Sequence, residues 1–357
     1  MAVPTALRPL PIWVLPGVAL LGAFAGMLFA GPVGAAFAPA TLHYIVPPLL
    51  FEAAWNLDLA AVRRAWRPVA MLVLPGVAIA ALCVAGVLLL LAFPWPLAWT
   101  VGAALSATDP VAVIAFARSV GAPPSLVAIV EAESLFNDAF AVALVRASNL
   151  VLSLVAALLG AAVGDLVGRL ASRLRLRRPF SLWALSVLGV YAVAIAADAF
   201  GGSGIVAVVT LGIFMRTRIE RTLDSATLDG AEAYWRWAAV ALNFVLFAWM
   251  GASFNLLDAR SALIGAGAVV LALAAARLIT TMGLLRVLPE LDAARRRFIA
   301  TAGVRGALSL ALIFTIDVHL PGAQSARAIV FVAVLVTMLV GTLALPRSAR
   351  RLLASRS

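Results

Sequence analysis

The chain contains no lysine, one cysteine, two histidines and three tyrosines, and only 12% of its 357 residues are charged. Each shortage excludes something. A lone cysteine, Cys83, set in an apolar run, rules out an internal disulfide and a cysteine-built metal site. No polar stretch is long enough for a soluble domain. No cleavage pattern follows the single arginine of Met1–Leu10, so the first apolar run reads as a membrane helix and not as a removed leader. What the chain has instead is apolar surface: 64% hydrophobic residues and a mean hydropathy of +1.08. A soluble domain cannot hide that much, so the fold class is an all-α polytopic membrane protein in a lipid bilayer. All 27 basic residues are arginine and the net charge is +11. In a soluble protein this would suggest nucleic acid; here topology accounts for it, and no nucleic-acid partner is expected.

Runs of about 20 apolar residues mark spans, because a helix rising about 1.5 Å per residue must cross about 30 Å of hydrocarbon. Twelve are expected, at 11–30, 42–60, 68–93, 96–118, 124–148, 150–172, 181–199, 202–216, 237–254, 259–287, 297–317 and 325–346. An even count puts both termini on one side. If that side is the cytoplasm, 22 of the 27 arginines fall at inner segments, with Arg146, Arg260 and Arg327 outside and Arg277 and Arg305 within spans. The excess of inner arginine supports the count and the direction, and points to a plasma (inner) membrane protein with cytoplasmic termini.

Charged groups deep in a bilayer are costly and persist where they work or are paired. Several share one depth: Glu52 in span two, Thr108 and Asp109 in span four, Asn137 and Asp138 in span five, and Arg305 in span eleven. Glu133 and Arg277 come out at a common level roughly 5 Å inward of the midplane. Ser134 and Asp138, four apart, share a helix face, and Glu133 and Asn137 the neighbouring one. Glu133 is therefore read as held by Arg277, a structural ion pair, leaving Asp138 free to exchange a proton. Pro110 pushes Asp109 out of helical geometry, exposing carbonyls and the Thr108 hydroxyl at mid-membrane depth. Such a break survives only where it is buried or lines a wet cavity. Gly303-Val304-Arg305-Gly306 interrupts span eleven, with Arg305 as helix-break support, either counter-ion for Asp109 or gate. Interrupted helices in the two halves of a chain point to an inverted-repeat transporter. Glu131 is read as turned away from Ser134 and Asp138, near the inner mouth. Asp165, His43, Asp198, Asp258, Asp317 and His319 read as snorkelling, interfacial or outer-surface groups, and most of the tryptophans as an interfacial belt.

Five stretches carry a family resemblance: Pro47-Pro48-Leu49-Leu50-Phe51-Glu52-Ala53-Ala54, Ser106-Ala107-Thr108-Asp109-Pro110-Val111-Ala112, Glu133-Ser134-Leu135-Phe136-Asn137-Asp138, Ala276-Arg277-Leu278, and Gly303-Val304-Arg305-Gly306-Ala307-Leu308-Ser309-Leu310. In this order, and across nearly the whole chain, they resemble sodium/proton exchangers of the cation:proton antiporter superfamily, in the NhaP/NHE-like branch. The resemblance implies that Asp138 binds cation or proton in turn, that Thr108, Ser134 and Glu52 help to ligate Na⁺, and that Glu133 pairs with Arg277. It implies electroneutral exchange from the Asn-Asp pair. It also implies a homodimer in which a core domain moves against a dimerisation scaffold. The chain departs from the family pattern at Ala139 and Phe140, where a small or turn-forming residue and then Thr or Ser are usual. Phe140 is expected to crowd the cavity or shift ion preference. The link between spans five and six is short, and an extra N-terminal helix and a cytoplasmic tail are expected to be missing.

The combined reading is one membrane transporter domain over 1–357, with inverted repeats and a discontinuous-helix crossing. Its core helices are expected at about 68–148 and 259–346, with the remainder as scaffold. The function expected is Na⁺/H⁺ (or K⁺/H⁺ or Li⁺/H⁺) antiport, not catalysis, with no cofactor and with Asp138, Asn137, Thr108, Ser134, Glu52 and Asp109 around the ion. The rivals are a carrier of another ion on this fold, a non-transporting regulatory relative, a cation channel, for which no filter loop is present, and an intramembrane aspartyl protease built on Gly164-Asp165, for which a partner motif is absent.

Overall fold

A computed structural model describes residues 41–109, 111–146, 150–252, 259–314, 316 and 319–354, with Gly17, Leu21 and Phe24. Most of the first expected span, Pro110, Asp258 and Asp317 lie outside the described residues. The described chain is helical, without strands. Its α-helices are α1 (Val46–Trp55), α2 (Leu59–Arg64), α3 (Trp66–Leu90), α4 (Trp95–Ser106), α5 (Val111–Ser119), α6 (Pro124–Arg146), α7 (Leu150–Arg173), α8 (Pro179–Ala199), α9 (Gly204–Ile219), α10 (Ser225–Ala252), α11 (Ala259–Leu278), α12 (Ala293–Thr301), α13 (Ala307–Ile313) and α14 (Ala323–Ala354).

Among the described residues, five helices are long and apolar enough to cross a membrane by themselves: Trp66–Leu90, Val151–Arg173, Pro179–Ala199, Ala262–Val287 and Ala323–Pro346. They carry exposed large apolar side chains such as Leu90, Leu158, Leu188, Ile264 and Leu271, as lipid-facing helices do. Expected spans four and eleven are each split into two half-helices, α4/α5 and α12/α13. Elsewhere the ends move for local reasons. The second span begins with a π-helical turn, Thr41–Ile45, that runs directly into the 10-residue α1, which has Pro47 and Pro48 in its first turn. The ninth span, expected from 237, belongs to a 28-residue helix that starts at Ser225. Asp224 starts it, its carboxylate accepting from the Thr227 amide at 2.8 Å and hydroxyl at 3.0 Å. The polar turns 225–236 continue the helix beyond the apolar run, where hydropathy gives no signal.

The chain forms two compact units. The described part of one consists of residues 41–59 and, within Arg146–Asn243, the described residues, so it holds α1, α7, α8, α9 and most of α10. Its core is apolar and aromatic: Phe51, Trp55, Leu182, Val190, Leu211, Met215 and Trp235 are all buried. Helices α7 and α9 approach to backbone contact. A Cβ on Gly160 would meet the Ala207 carbonyl, and one on Gly168 would lie 2.8 Å from Arg218 Cβ. In a bilayer, where apolar burial gives no net drive, this close fit is what joins helices.

The other unit includes Ala60–Val145 and Phe244–Ser357, and so α3 to α6 and α11 to α14. Helix α3 packs along α4, and Gly102 has no room for a side chain beside the Ala81 carbonyl. Helix α11 packs on α3 and α14. Both split spans lie in this unit.

Candidate functional site

The two splits meet. Helix α4 ends at Ser106, and Ala107 is already extended (φ −58°, ψ 143°). In the other split, Ala302–Gly306 is non-helical and Gly306 is extended. The Asp109 amide donates to the Val304 carbonyl at 2.8 Å, a short β-like tie between the two crossing segments. Gly306 lies so close to the Asp109 side chain that any Cβ would overlap it. A helix that stops mid-membrane leaves orphan carbonyls at the negative end of its dipole. Arg305 answers this: its Nη1 donates to the Ser106 and Ala107 carbonyls, each at 2.9 Å. Arg305 is 3% exposed. Its hydrogen bonds show a cap on the end of α4.

Helix α6 runs past this crossing and supplies the carboxylates. Ser134 donates its hydroxyl to the Thr108 carbonyl. Asn137 Nδ2 donates to Thr108 Oγ1 and to Glu133 Oε1, both at 3.3 Å. These bonds fix the amide nitrogen and leave Asn137 Oδ1 buried without a donor. Asp138 Oδ1 is likewise buried and without a hydrogen-bond partner. Glu133, 2% exposed, is gripped by Arg277 through both carboxylate oxygens, the Nη2 bond being 2.9 Å. The same Nη2 donates to the Ile299 carbonyl at 2.7 Å, near the C-terminal end of α12. Gly303 is required here as well, because a Cβ would sit 2.8 Å from Arg277 Nε. Each inner half-helix end therefore has its own arginine, Arg305 for α4 and Arg277 for α12. Arg277 also neutralises a carboxylate, that of Glu133.

The structure thus gathers Thr108, Asp109, Glu133, Ser134, Asn137, Arg277 and Arg305 into one polar centre, with Asp138 beside it. Glu52 belongs to the other unit, where Asn56 Nδ2 donates to its Oε1 at 2.8 Å. Phe140 is 39% exposed, so it is not packed into the crossing. Glu131 corrects the sequence reading. Spacings of three and seven residues return to the same helical face, so Glu131, Ser134 and Asp138 form one line along α6. Arg118 of α5 pairs with it. Sequence reasoning also missed Thr337, whose hydroxyl accepts from the Arg305 amide at 3.3 Å, and the carbonyls of Ser106, Ala107 and Ile299. Side-chain type gives no signal for a carbonyl; only locating each helix break finds them. Chemically, the centre offers buried carboxylate, amide and hydroxyl oxygens in an otherwise neutralised setting, a donor set suited to hard cations and to protons.

Residues 1–350 match the family described as "Sodium/hydrogen exchanger, transmembrane". The chain is 30% identical over 330 residues to the Na(+)/H(+) antiporter ApNhaP of Aphanothece halophytica, covering 84% of this chain and 62% of that protein. It is 29% identical to the low-affinity Na(+)/H(+) antiporter NhaS1 of Synechocystis, with the same coverage of 84% and 62%. The chain thus spans under two thirds of the length of these two relatives. In fold it is similar to the sodium proton antiporter MjNhaP1 of Methanocaldococcus jannaschii at pH 8, with a TM-score of 0.77 at 18% identity over 94% of this chain and 91% of that one. The family match agrees with the crossing just described: the chain belongs to the sodium/hydrogen exchanger family.

Proposed function

We propose that this protein exchanges a monovalent cation, Na⁺ first among them, for a proton across the inner membrane, and that Asp138 holds each in turn. One observation carries the reading: Asp138 Oδ1 and Asn137 Oδ1 are buried side-chain oxygens that no donor satisfies, next to the crossing of two broken helices. A buried acceptor without a donor is costly in a folded protein. A Na⁺ ion or a carboxyl proton removes that cost, and one carboxylate oxygen cannot hold both.

This competition gives obligatory exchange by alternating access. Loaded with either ion, Asp138 is close to neutral. Empty, it carries a charge whose placement in the bilayer interior costs about 3 kcal/mol or more. At about 1.4 kcal/mol per factor of ten, empty crossings are then at least ~100-fold rarer than loaded ones. Glu133–Arg277 and Arg305 contribute no exchangeable charge in this scheme, since each is committed to the scaffold of the site. Thr108, Ser134 and Asn137 supply oxygens, while Asp109 shares the crossing. One cation against one proton is electroneutral, which suits a site with a single uncommitted carboxylate next to Asn137.

The reading takes 68–148 and 259–346 as the moving core and the remainder as the scaffold of a homodimer. The division of the chain into two compact units supports it. The arginine asymmetry supports cytoplasmic termini. The test is purified protein in liposomes containing a pH dye, pulsed with Na⁺, K⁺ and Li⁺. Wild-type protein is expected to move protons on a cation pulse, and Asp138→Asn, still folded, is expected to move none. Exchange that survives in Asp138→Asn overturns the assignment.

A further inference from the structure

The Arg118–Glu131 pair is not used by the scheme above, and its position gives it a part. Glu131 lies seven residues before Asp138 on one face of α6, about 10 Å along the axis, with Ser134 between them on the same line. Its side chain is only 12% exposed, although it is one to two turns from the start of the helix, whereas the Arg118 side chain is 55% exposed. Arg118 is the last-turn arginine of α5, the half-helix that leads away from the break at Thr108 and Asp109. The turn at Gly121 (φ +68°) folds α5 back onto α6, and the Ala122 amide closes it on the Ala117 carbonyl at 2.9 Å. The two charged groups therefore meet near the turn of the α5–α6 hairpin, with the guanidinium toward solvent and the carboxylate inward.

From this geometry we infer that Glu131 is a waiting position for the cation on its route to Asp138, and that the Arg118 guanidinium holds the place the cation takes. The inference rests on the transport reading. A half-exposed arginine can swing into water at little cost, because a partly exposed ion pair contributes about 0–1 kcal/mol. An arriving Na⁺ then pairs with the nearly buried carboxylate, and Ser134 lies one turn further along the line to Asp138. When the cation moves on, Arg118 returns and restores the positive charge beside the nearly buried carboxylate. The pair selects for positive charge at the mouth without adding a charge to the site that crosses the membrane.

The pair's two members then have opposite effects on the cation. Glu131→Gln leaves an unpaired guanidinium at the mouth and should raise the KM for Na⁺. Arg118→Ala removes the positive charge beside Glu131 and should lower it. Two unit charges about 10 Å apart, partly screened, correspond to about three- to tenfold in KM at low ionic strength. The maximal rate should change little in either variant, and the double variant should return toward the wild-type KM. A pair that merely clasps α5 to α6 predicts something else: both variants lose folded protein in the same way and KM is unmoved. Arg118→Lys should restore the wild-type KM if charge is what matters.

The experiment is Na⁺-driven proton movement in liposomes at low and high salt, with the four variants and size-exclusion profiles to score folding. Opposite KM shifts that shrink in high salt support the inference. Equal or absent shifts in variants that still exchange overturn it and leave the transport reading intact. If Glu131→Gln does not assemble, the more exposed Arg118→Ala still decides by the sign of its shift. A wild-type protein that moves no protons overturns the transport reading and this inference together.

Discussion

The two compact units bury different things. In the unit of α1, α7, α8 and α9, the core is aromatic and aliphatic, and the Asp165 pairs with Arg169 and Arg218 keep side chains 33% to 54% exposed. In the unit of α3 to α6 and α11 to α14, the interior holds Thr108, Glu133, Ser134, Asn137 and Arg305, each at most 5% exposed. The first unit is tied by close backbone fit between unbroken helices. The second contains helices that stop midway, and the stops create the demand that buried charges meet. Glu133 and Arg305 are buried where backbone has been broken, and in that neighbourhood an oxygen of Asp138 is left over.

This contrast can be broken from its strong end downward. Asp138→Asn keeps the shape of the site and removes the charge, so exchange in liposomes should fall to background while the size-exclusion profile stays that of wild type. Glu133→Gln or Arg277→Ala strands one member of a buried pair, and should cost about 3–5 kcal/mol, read as a loss of folded protein on thermal unfolding. The charge swap of both residues should recover only part of this, because a carboxylate at 277 cannot donate to the Ile299 carbonyl as Arg277 does. Gly306→Ala forces a Cβ into the Asp109 side chain. Overpacking of this kind costs about 1–3 kcal/mol, and it should lower the exchange rate more than Gly267→Ala, where nothing lies within 4 Å of a new Cβ. In the other unit, Asp165→Asn should change stability by no more than about 1 kcal/mol, discounted further for solvent screening.

The smallest effect lies outside the membrane. Hydrogen bonds from the Thr227 amide and hydroxyl hold the Asp224 carboxyl below the usual carboxylate value. A lowered folded-state value means that this cap stabilises the start of α10 above the ordinary carboxylate range and is lost as pH falls through the folded value. Amide protection over residues 225–230, taken as the exchange rate relative to the intrinsic rate at each pH, should therefore fall on acidification, and Asp224→Ala should remove that change in protection.

How far the sequence foretells this depends on which physical signal each feature leaves. Apolar runs locate the helices because the hydrocarbon sets their length, but the start of α10 depends on Asp224, which hydropathy does not weigh. The breaks at Thr108–Asp109 and Gly303–Gly306 are legible from proline and glycine. What the arginines do there is not. Depth places Glu133 and Arg277 at one level, yet nothing in the sequence shows that Arg277 also holds Ile299, or that Arg305 caps carbonyls of α4, since orphan carbonyls belong to every residue type. Glu131 was legible and misread: counting residues between polar groups is not the same as turning them by 100° each. Glu52 lies on α1, in the unit without the crossing, and its part in the site rests on the family resemblance.

The central claim is that one oxygen of Asp138 takes Na⁺ and H⁺ in turn, so binding the first must release the second. Calorimetric titration of the purified protein with Na⁺, repeated in buffers of different ionisation enthalpy, counts the protons released per cation bound. The account predicts close to one proton per Na⁺ in the wild type and no Na⁺-linked release in Asp138→Asn. Na⁺ binding without proton release, or release that persists in Asp138→Asn, would contradict it.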